Sequence, residues 1–294
     1  MHLRLRNLYN DYCDDCREFH INLNADATEF KQLYNEVEKA YQKLHKDGDY
    51  KAVNIAEYKA VIDANYTIFK KALEAGIADS VIPAAMLTSL QNDVFVFSAL
   101  RTHAQLYEAS RMLLDENRKI KSFQKFSQDV KEIKDKFNEN YLEAEYNFAT
   151  SSAQMNAKWQ EVVENGDRYN LQYRTAQDDK VREEHAVLAN ITLPAKSKFW
   201  DKYYPPNGWR CRCTAAQVRK SKFEITDEKD AIKKGEKALT NLDKDGKNRL
   251  EIFKFNPGKD KVAFPPHHPY HKVDGAKTVE RKTKKLDRPD EKAN

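Results

Sequence analysis

FWDKYYPPNGWRCRC, residues 199–213, sets two cysteines one residue apart behind two prolines, a glycine and a run of aromatic side chains. Alternate residues of an extended chain share a face, so Cys211 and Cys213 point the same way. The geometry of a disulfide argues against bridging two cysteines so close in sequence. Pro205, Pro206 and Gly208 fix the approach of the chain to the pair. The stretch therefore reads as a rigid corner in a small module of mixed secondary structure. It could be a metal knot, a catalytic site or only a tight turn.

Upstream of this corner the texture is different. Apolar residues recur at helical spacing through Phe30, Leu33, Val37, Tyr41 and Leu44, and a KDGD turn stops the run. A second helix is expected from Asn54, read as its N-cap, to Gly76. A third starts near Pro83, and Asp93 is read as the cap of a fourth that runs through Phe97, Leu100, Tyr107 and Leu114. Ser122 opens a further helical run through Phe123, Phe126, Val130, Ile133 and Phe137 toward Asn165. The small residues of NFATSSAQMNAKW, residues 147–159, mark a helix face that another element approaches closely.

After residue 166 the pattern shifts to short elements. Tyr169, Leu171 and Tyr173 alternate with polar residues, as in a strand. DDKVREEHAVLAN reads as a short helix, ITLPA and CRCTAAQVRK as strands, TDEKDAIKKGEKALTNL as a capped amphipathic helix, and EIFKFNPGKDK as a strand ending in a Pro-Gly turn. The expected fold class is thus a mainly α N-terminal region followed by a small α+β module. Residues 1–120 form the helical region, 121–265 the module (lead-in helices 121–165, core 167–265), and 266–294 a polar, Lys-rich tail expected to be disordered.

Composition agrees. With 14 Phe and 15 Tyr against only 8 Gly, the chain favours long aromatic-faced helices over a glycine-rich β protein. The net charge of +5 permits an acidic partner without demanding one. No apolar run approaches the roughly 20 residues of a membrane span, so no membrane partner is expected. The N-terminus lacks the apolar core of a secretory signal. The cysteines are therefore expected to be reduced, and to serve metal or redox work more than disulfides.

Asp178, His185, Cys211 and Cys213 form the strongest constellation. Two thiolates and an imidazole are good Zn²⁺ ligands, and Asp178 could complete the set. Closing the loop between His185 and the cysteines would supply much of the folding free energy of so small a module. The spacing is not that of a standard zinc finger. On the residues alone, His185 could equally lie on a helix surface beside half-buried cysteines. A cysteine nucleophile with His185 as base is a further reading, with Arg182, Arg210 and Arg212 lowering the thiol pKa. No glycine-rich elbow supports it. Cys13, Cys16 and His20 resemble half a zinc site but lack an obvious fourth ligand, and read more simply as two ordinary cysteines on a short helix. His267, His268 and His271 could bind metal adventitiously or form an extended docking segment. Arg210, Arg212, Arg219, Lys220 and Lys222 form an acid-free basic run that could touch DNA phosphates through charge alone.

YRTAQDDKVREEHAVL together with FWDKYYPPNGWRCRC resembles the pattern of the phage Mu F-like minor head proteins, also called phage head morphogenesis proteins. The matching positions are Asp178, Val181, Arg182 and His185, then Phe199, Trp200, Pro205, Pro206, Asn207, Gly208, Trp209, Cys211 and Cys213, with Asn256, Pro257 and Gly258 downstream. The resemblance covers roughly residues 138–260. Asn190 stands where the family has glycine, and Lys196, Ser197 and Lys198 replace its acidic residues.

The resemblance implies a structural protein of a tailed phage or prophage, not an enzyme. Its expected partners are the portal protein, the scaffold or major capsid protein, and double-stranded DNA. It would be made in the bacterial cytoplasm and end inside the capsid near the portal. One structural zinc, or a hydrogen-bonded knot in its place, is the only cofactor expected. Two rival readings stand beside this one. The first is a toxin-like nuclease or transferase using His185 and nearby arginines. The second is a zinc-stabilised DNA-binding accessory protein.

Overall fold

The structure is a computed structural model and describes residues 28–78 and 80–293. Cys13, Cys16 and His20 lie outside the described residues.

Among the described residues, five long helical stretches come first. Helix α1 spans Thr28–Asp47 and buries Leu33, Val37, Tyr41 and Leu44, the stripe its spacing predicts. The run expected to start at Asn54 begins as a 3-10 segment, Ala52–Tyr58, and becomes helix α2 only over Lys59–Ile77. Helix α3 runs unbroken over Ala84–Ser110, where the sequence suggested two helices. Asp93 caps nothing. Its carboxylate faces away from its own helix and accepts the backbone N–H groups of Ala263 and Phe264 at 2.8 and 3.0 Å. From Val94 to Ala109 almost every side chain of α3 is buried, so this helix is the centre of the molecule rather than one of its faces.

Ser122 caps helix α4, Phe123–Asp135, as expected, accepting from Lys125 N. A π-helical segment, Lys136–Tyr141, joins it to helix α5, Leu142–Asn165. The small-residue face of α5 meets α2. A Cβ on Gly76 would sit 2.2 Å from the Thr150 carbonyl oxygen, so only glycine allows this approach.

The sheet is small and antiparallel, in order β2-β1-β3. Strand β1, Tyr169–Arg174, lies between β2, Thr192–Pro194, and β3, Thr214–Arg219. Leu171 pairs with Leu193 on one side and with Gln217 on the other. Asn190 turns the chain into β2 with φ 64°, a left-handed conformation that asparagine tolerates better than most residues. Short helices α6 (Glu183–Ala186) and α7 (Phe199–Lys202) flank the sheet, followed by α8, Glu228–Ala238, capped by Asp227.

Two expectations for the C-terminal part are corrected. EIFKFNPGKDK is not a strand. Arg249–Phe253 is a 3-10 turn, and helix α9, Pro257–Asp260, follows with Asn256 as its N-cap and proline at its first turn. Gly258 is required there, since a Cβ would fall 2.2 Å from Trp159 Cβ. The polar segment after 265 is not a disordered tail. It carries a 3-10 turn, Pro269–Lys272, and helix α10, Ala276–Thr283, and it buries Tyr270, Val273 and Val279 in the core. Full burial of each of these valines stabilises the fold by roughly 1.5–3 kcal/mol. One continuous cluster of buried apolar residues runs from Leu33 to Val279. Among the described residues no helix is long and apolar enough to cross a membrane.

Candidate functional site

His185 enters the core from helix α6, whose first turn is held by the Arg182 carbonyl accepting from His185 N. Cys211 and Cys213 come from the irregular segment that leads into β3. All three are buried, and His185 Nδ1 lies 3.7 Å from the sulfur of each cysteine. The three donor atoms fall within 4.8 Å of one another. The cysteines are not joined to each other.

The corner expected from the sequence builds this cluster. The Pro205–Pro206 peptide bond is cis. Asn207 then ties the corner down, accepting from the Tyr173 hydroxyl at 3.0 Å and donating to the Tyr204 carbonyl at 3.3 Å. At Gly208 a Cβ would come within 3.0 Å of Arg182 Nη1 and 4.0 Å of His185 Cε1. Arg182 donates to the Trp209 carbonyl at 2.5 Å. Trp209 packs among Phe148, Phe253 and His268, with ring centroids 5.0, 5.3 and 5.7 Å away. Arg210 reverses the chain with φ 57° and reaches Glu143 on α5 at 3.3 Å.

Asp178 does not join the cluster. Its carboxylate takes both arms of the Arg212 guanidinium, at 2.5 and 2.7 Å, on the exposed side of the chain. That pairing holds the Asp178 carboxyl below its ordinary pKa, first through the hydrogen bond from Arg212. The pair has a positional consequence: Arg212 is drawn outward, and its two neighbours, Cys211 and Cys213, face inward.

The buried sulfurs are not equivalent. The hydrogen bond from Cys213 lowers the Cys211 thiol well below its ordinary pKa, helped by the His185 ring and by Arg182. Cys213 is pushed up by giving that hydrogen bond and by burial. Cys211 is thus the more acidic sulfur of the pair. The site opens on a pocket of about 20 Å³ lined by Lys180, Arg182, Arg210 and Arg212. That is room for one water or small ion, not for an organic substrate.

The remaining expected residues take structural places. Phe199 and Trp200 are buried edge to face at 4.8 Å. Asn256 donates to the Trp200 carbonyl at 2.8 Å, which locks α9 onto α7. In the loop at Ser197, Glu228 of α8 supplies a carboxylate and accepts from Lys198 N at 3.1 Å. The three C-terminal histidines do not converge. His267 is exposed, His268 is in the core, and His271 pairs with Glu280 at 2.7 Å. The basic run also divides: Arg210 and Arg212 are committed to Glu143 and Asp178, while Arg219, Lys220 and Lys222 are exposed. Tyr173, beside Cys213 and bonded to Asn207, belongs to the site, although its sequence context marks it only as a strand residue. The inward phase of β1 was the one signal that could have placed it.

Residues 118–216, which hold this cluster, match the family described as Phage Mu protein F like protein. More particularly, the chain is similar to the putative capsid assembly protein F of Escherichia phage Mu, with 38% identity over 87 residues, 28% of this chain. The matched stretch is 20% of that relative's length. No solved structure matches the chain.

Proposed function

We propose that the chain is a phage head morphogenesis protein: a structural component that joins the portal during procapsid assembly and stays in the virion near it. The Mu F-like match over residues 118–216 carries this reading, because it contains Asp178, His185, Cys211 and Cys213 together. The burial of His185, Cys211 and Cys213 in a corner that packs α5, α6 and the sheet together supports a structural role. So does a pocket too small for an organic substrate. The name of the phage Mu relative, a putative capsid assembly protein, points the same way. Contact with packaged DNA would fall to Arg219, Lys220 and Lys222. Such contact would be weak and would fall steeply with salt, since only a few phosphates are neutralised.

Co-expression with the portal, scaffold and capsid proteins encoded in the same genome tests the reading. The chain is expected to co-purify with the portal and to appear in procapsids in few copies. Failure to join either portal or procapsid, together with His185-dependent cleavage of nucleic acid, would establish the rival enzymatic reading instead.

A further inference from the structure

His185, Cys211 and Cys213 form the one cluster of potential metal-binding side chains among the described residues. Its dimensions are specific. A tetrahedral Zn²⁺ with Zn–S about 2.3 Å and Zn–N about 2.0–2.1 Å has an N···S edge of about 3.5 Å. The two observed N···S separations are both 3.7 Å, within the spread of about 0.2 Å expected of a real metal site. Two sulfurs and one imidazole nitrogen are also the donor types that zinc prefers among divalent ions with no carboxylate nearby. The only carboxylate expected to contribute, Asp178, is held away by Arg212.

We propose that His185 Nδ1 and the Cys211 and Cys213 thiolates hold one Zn²⁺, with the fourth position turned to the small pocket beside Lys180, Arg182 and Arg210. Two thiolates neutralise the ion's charge, and the thiol protons leave to solvent when the ion binds. The pocket admits a water or a small anion as the fourth donor, and its basic lining favours the anion. The ion would close the 26-residue loop between His185 and Cys211 and clamp α6 to the entrance of β3. Nothing in this depends on head assembly, since a chain that binds no portal would still hold the ion.

Metal content of the purified full chain after dialysis tests the proposal. About one zinc per chain is expected. Replacement by Co²⁺ should give a thiolate-to-cobalt charge-transfer band and the strong visible bands of a tetrahedral cobalt site. An added small anion should shift those bands. Cys213→Ser should reduce the bound metal to a trace. Because that variant could fail to fold, His185→Cys provides the second arm: three thiolates should restore cobalt binding, with the charge-transfer band intensified. The proposal is overturned if the wild-type chain carries no zinc, takes up no stoichiometric cobalt and keeps its melting temperature under chelator. It is equally overturned if folded His185→Cys binds no cobalt. Either outcome would leave the cluster as a thiol–imidazole hydrogen-bonded knot.

Discussion

Arg101 of α3 and Glu145 of α5 form an ion pair with both side chains at 0% exposure, Nε to Oε2 2.8 Å. The other donors of Arg101 go to Asn65 Oδ1 at 2.8 Å, to Asn138 and to the Phe137 carbonyl of the π-helical segment. The second oxygen of Glu145 accepts from the Tyr270 hydroxyl at 2.7 Å. The network thus joins α2, α3, the π segment, α5 and the C-terminal segment. A buried ion pair is weak evidence of stability in itself, but removing one partner strands a charge. Arg101→Met is expected to cost about 3–5 kcal/mol. The double variant Arg101→Met/Glu145→Leu should cost less than the sum of the two singles. Urea unfolding of the four proteins measures the coupling, and simple additivity would refute it.

His103 predicts an acid-sensitive C-terminal segment. Its Nε2 donates to the Asp274 carbonyl at 2.9 Å, and its Nδ1 accepts from Tyr50 at 2.8 Å. Burial lowers its pKa to about 4, while an unfolded histidine titrates near 6.5. The unfolded chain therefore takes the proton first. Stability present above about pH 6.5 is lost as pH falls toward 4, by about 2–3 kcal/mol in full. The stability difference between wild type and His103→Gln should shrink over that window. A pH-independent difference would count against the assignment.

Asp93 predicts the opposite slope. Burial raises its pKa to about 6, against the lowering effect of its two backbone hydrogen bonds. The folded state binds the proton more tightly, so stability is greatest below about pH 4 and declines as pH rises to about 6. Asp93→Asn keeps an acceptor for Ala263 and Phe264 without the charge. It should gain about 1–2 kcal/mol on wild type between pH 4 and 7, less than a fully dry carboxylate would show. Equal pH profiles for the two proteins would show that the carboxylate is well solvated.

Gly258 predicts a steric failure. Alanine there would meet Trp159 Cβ at 2.2 Å, and the indole is fixed edge to face against Tyr204 at 5.0 Å. Gly258→Ala should cost about 1–3 kcal/mol or more. Gly246→Ala provides the control: its Cβ would meet no atom within 4 Å and only the positive φ of 73° opposes it. If both variants melt together, the close approach of α9 to α5 is not what the glycine serves.

The sequence was legible wherever spacing is local. The stripes of α1, α4 and α5, the Ser122 cap and the inward cysteine pair all follow from residues within a few positions of each other. What escaped was long-range. Asp93 reads as a cap because its true partners, Ala263 and Phe264, lie 170 and 171 residues away. Asp178 reads as a ligand because carboxylates are good ones, yet the Arg212 side chain between the cysteines reaches it first. The segment after 265 reads as disordered because α10 offers only Val279 as a strong apolar anchor, with Ala276 and Thr283 completing its buried face. His268 looked like surface among prolines, yet it stacks edge to face on Tyr270 at 4.2 Å.

The bond between Tyr270 and Glu145 also sets an order of events during synthesis. The acceptor leaves the ribosome 125 residues before its donor. The helices around Arg101 can meet early, but their buried carboxylate stays uncapped until the segment after 265 has been translated. Completion of this core therefore waits for the segment after 265, and a product stalled before Tyr270 carries a half-satisfied charge at its centre.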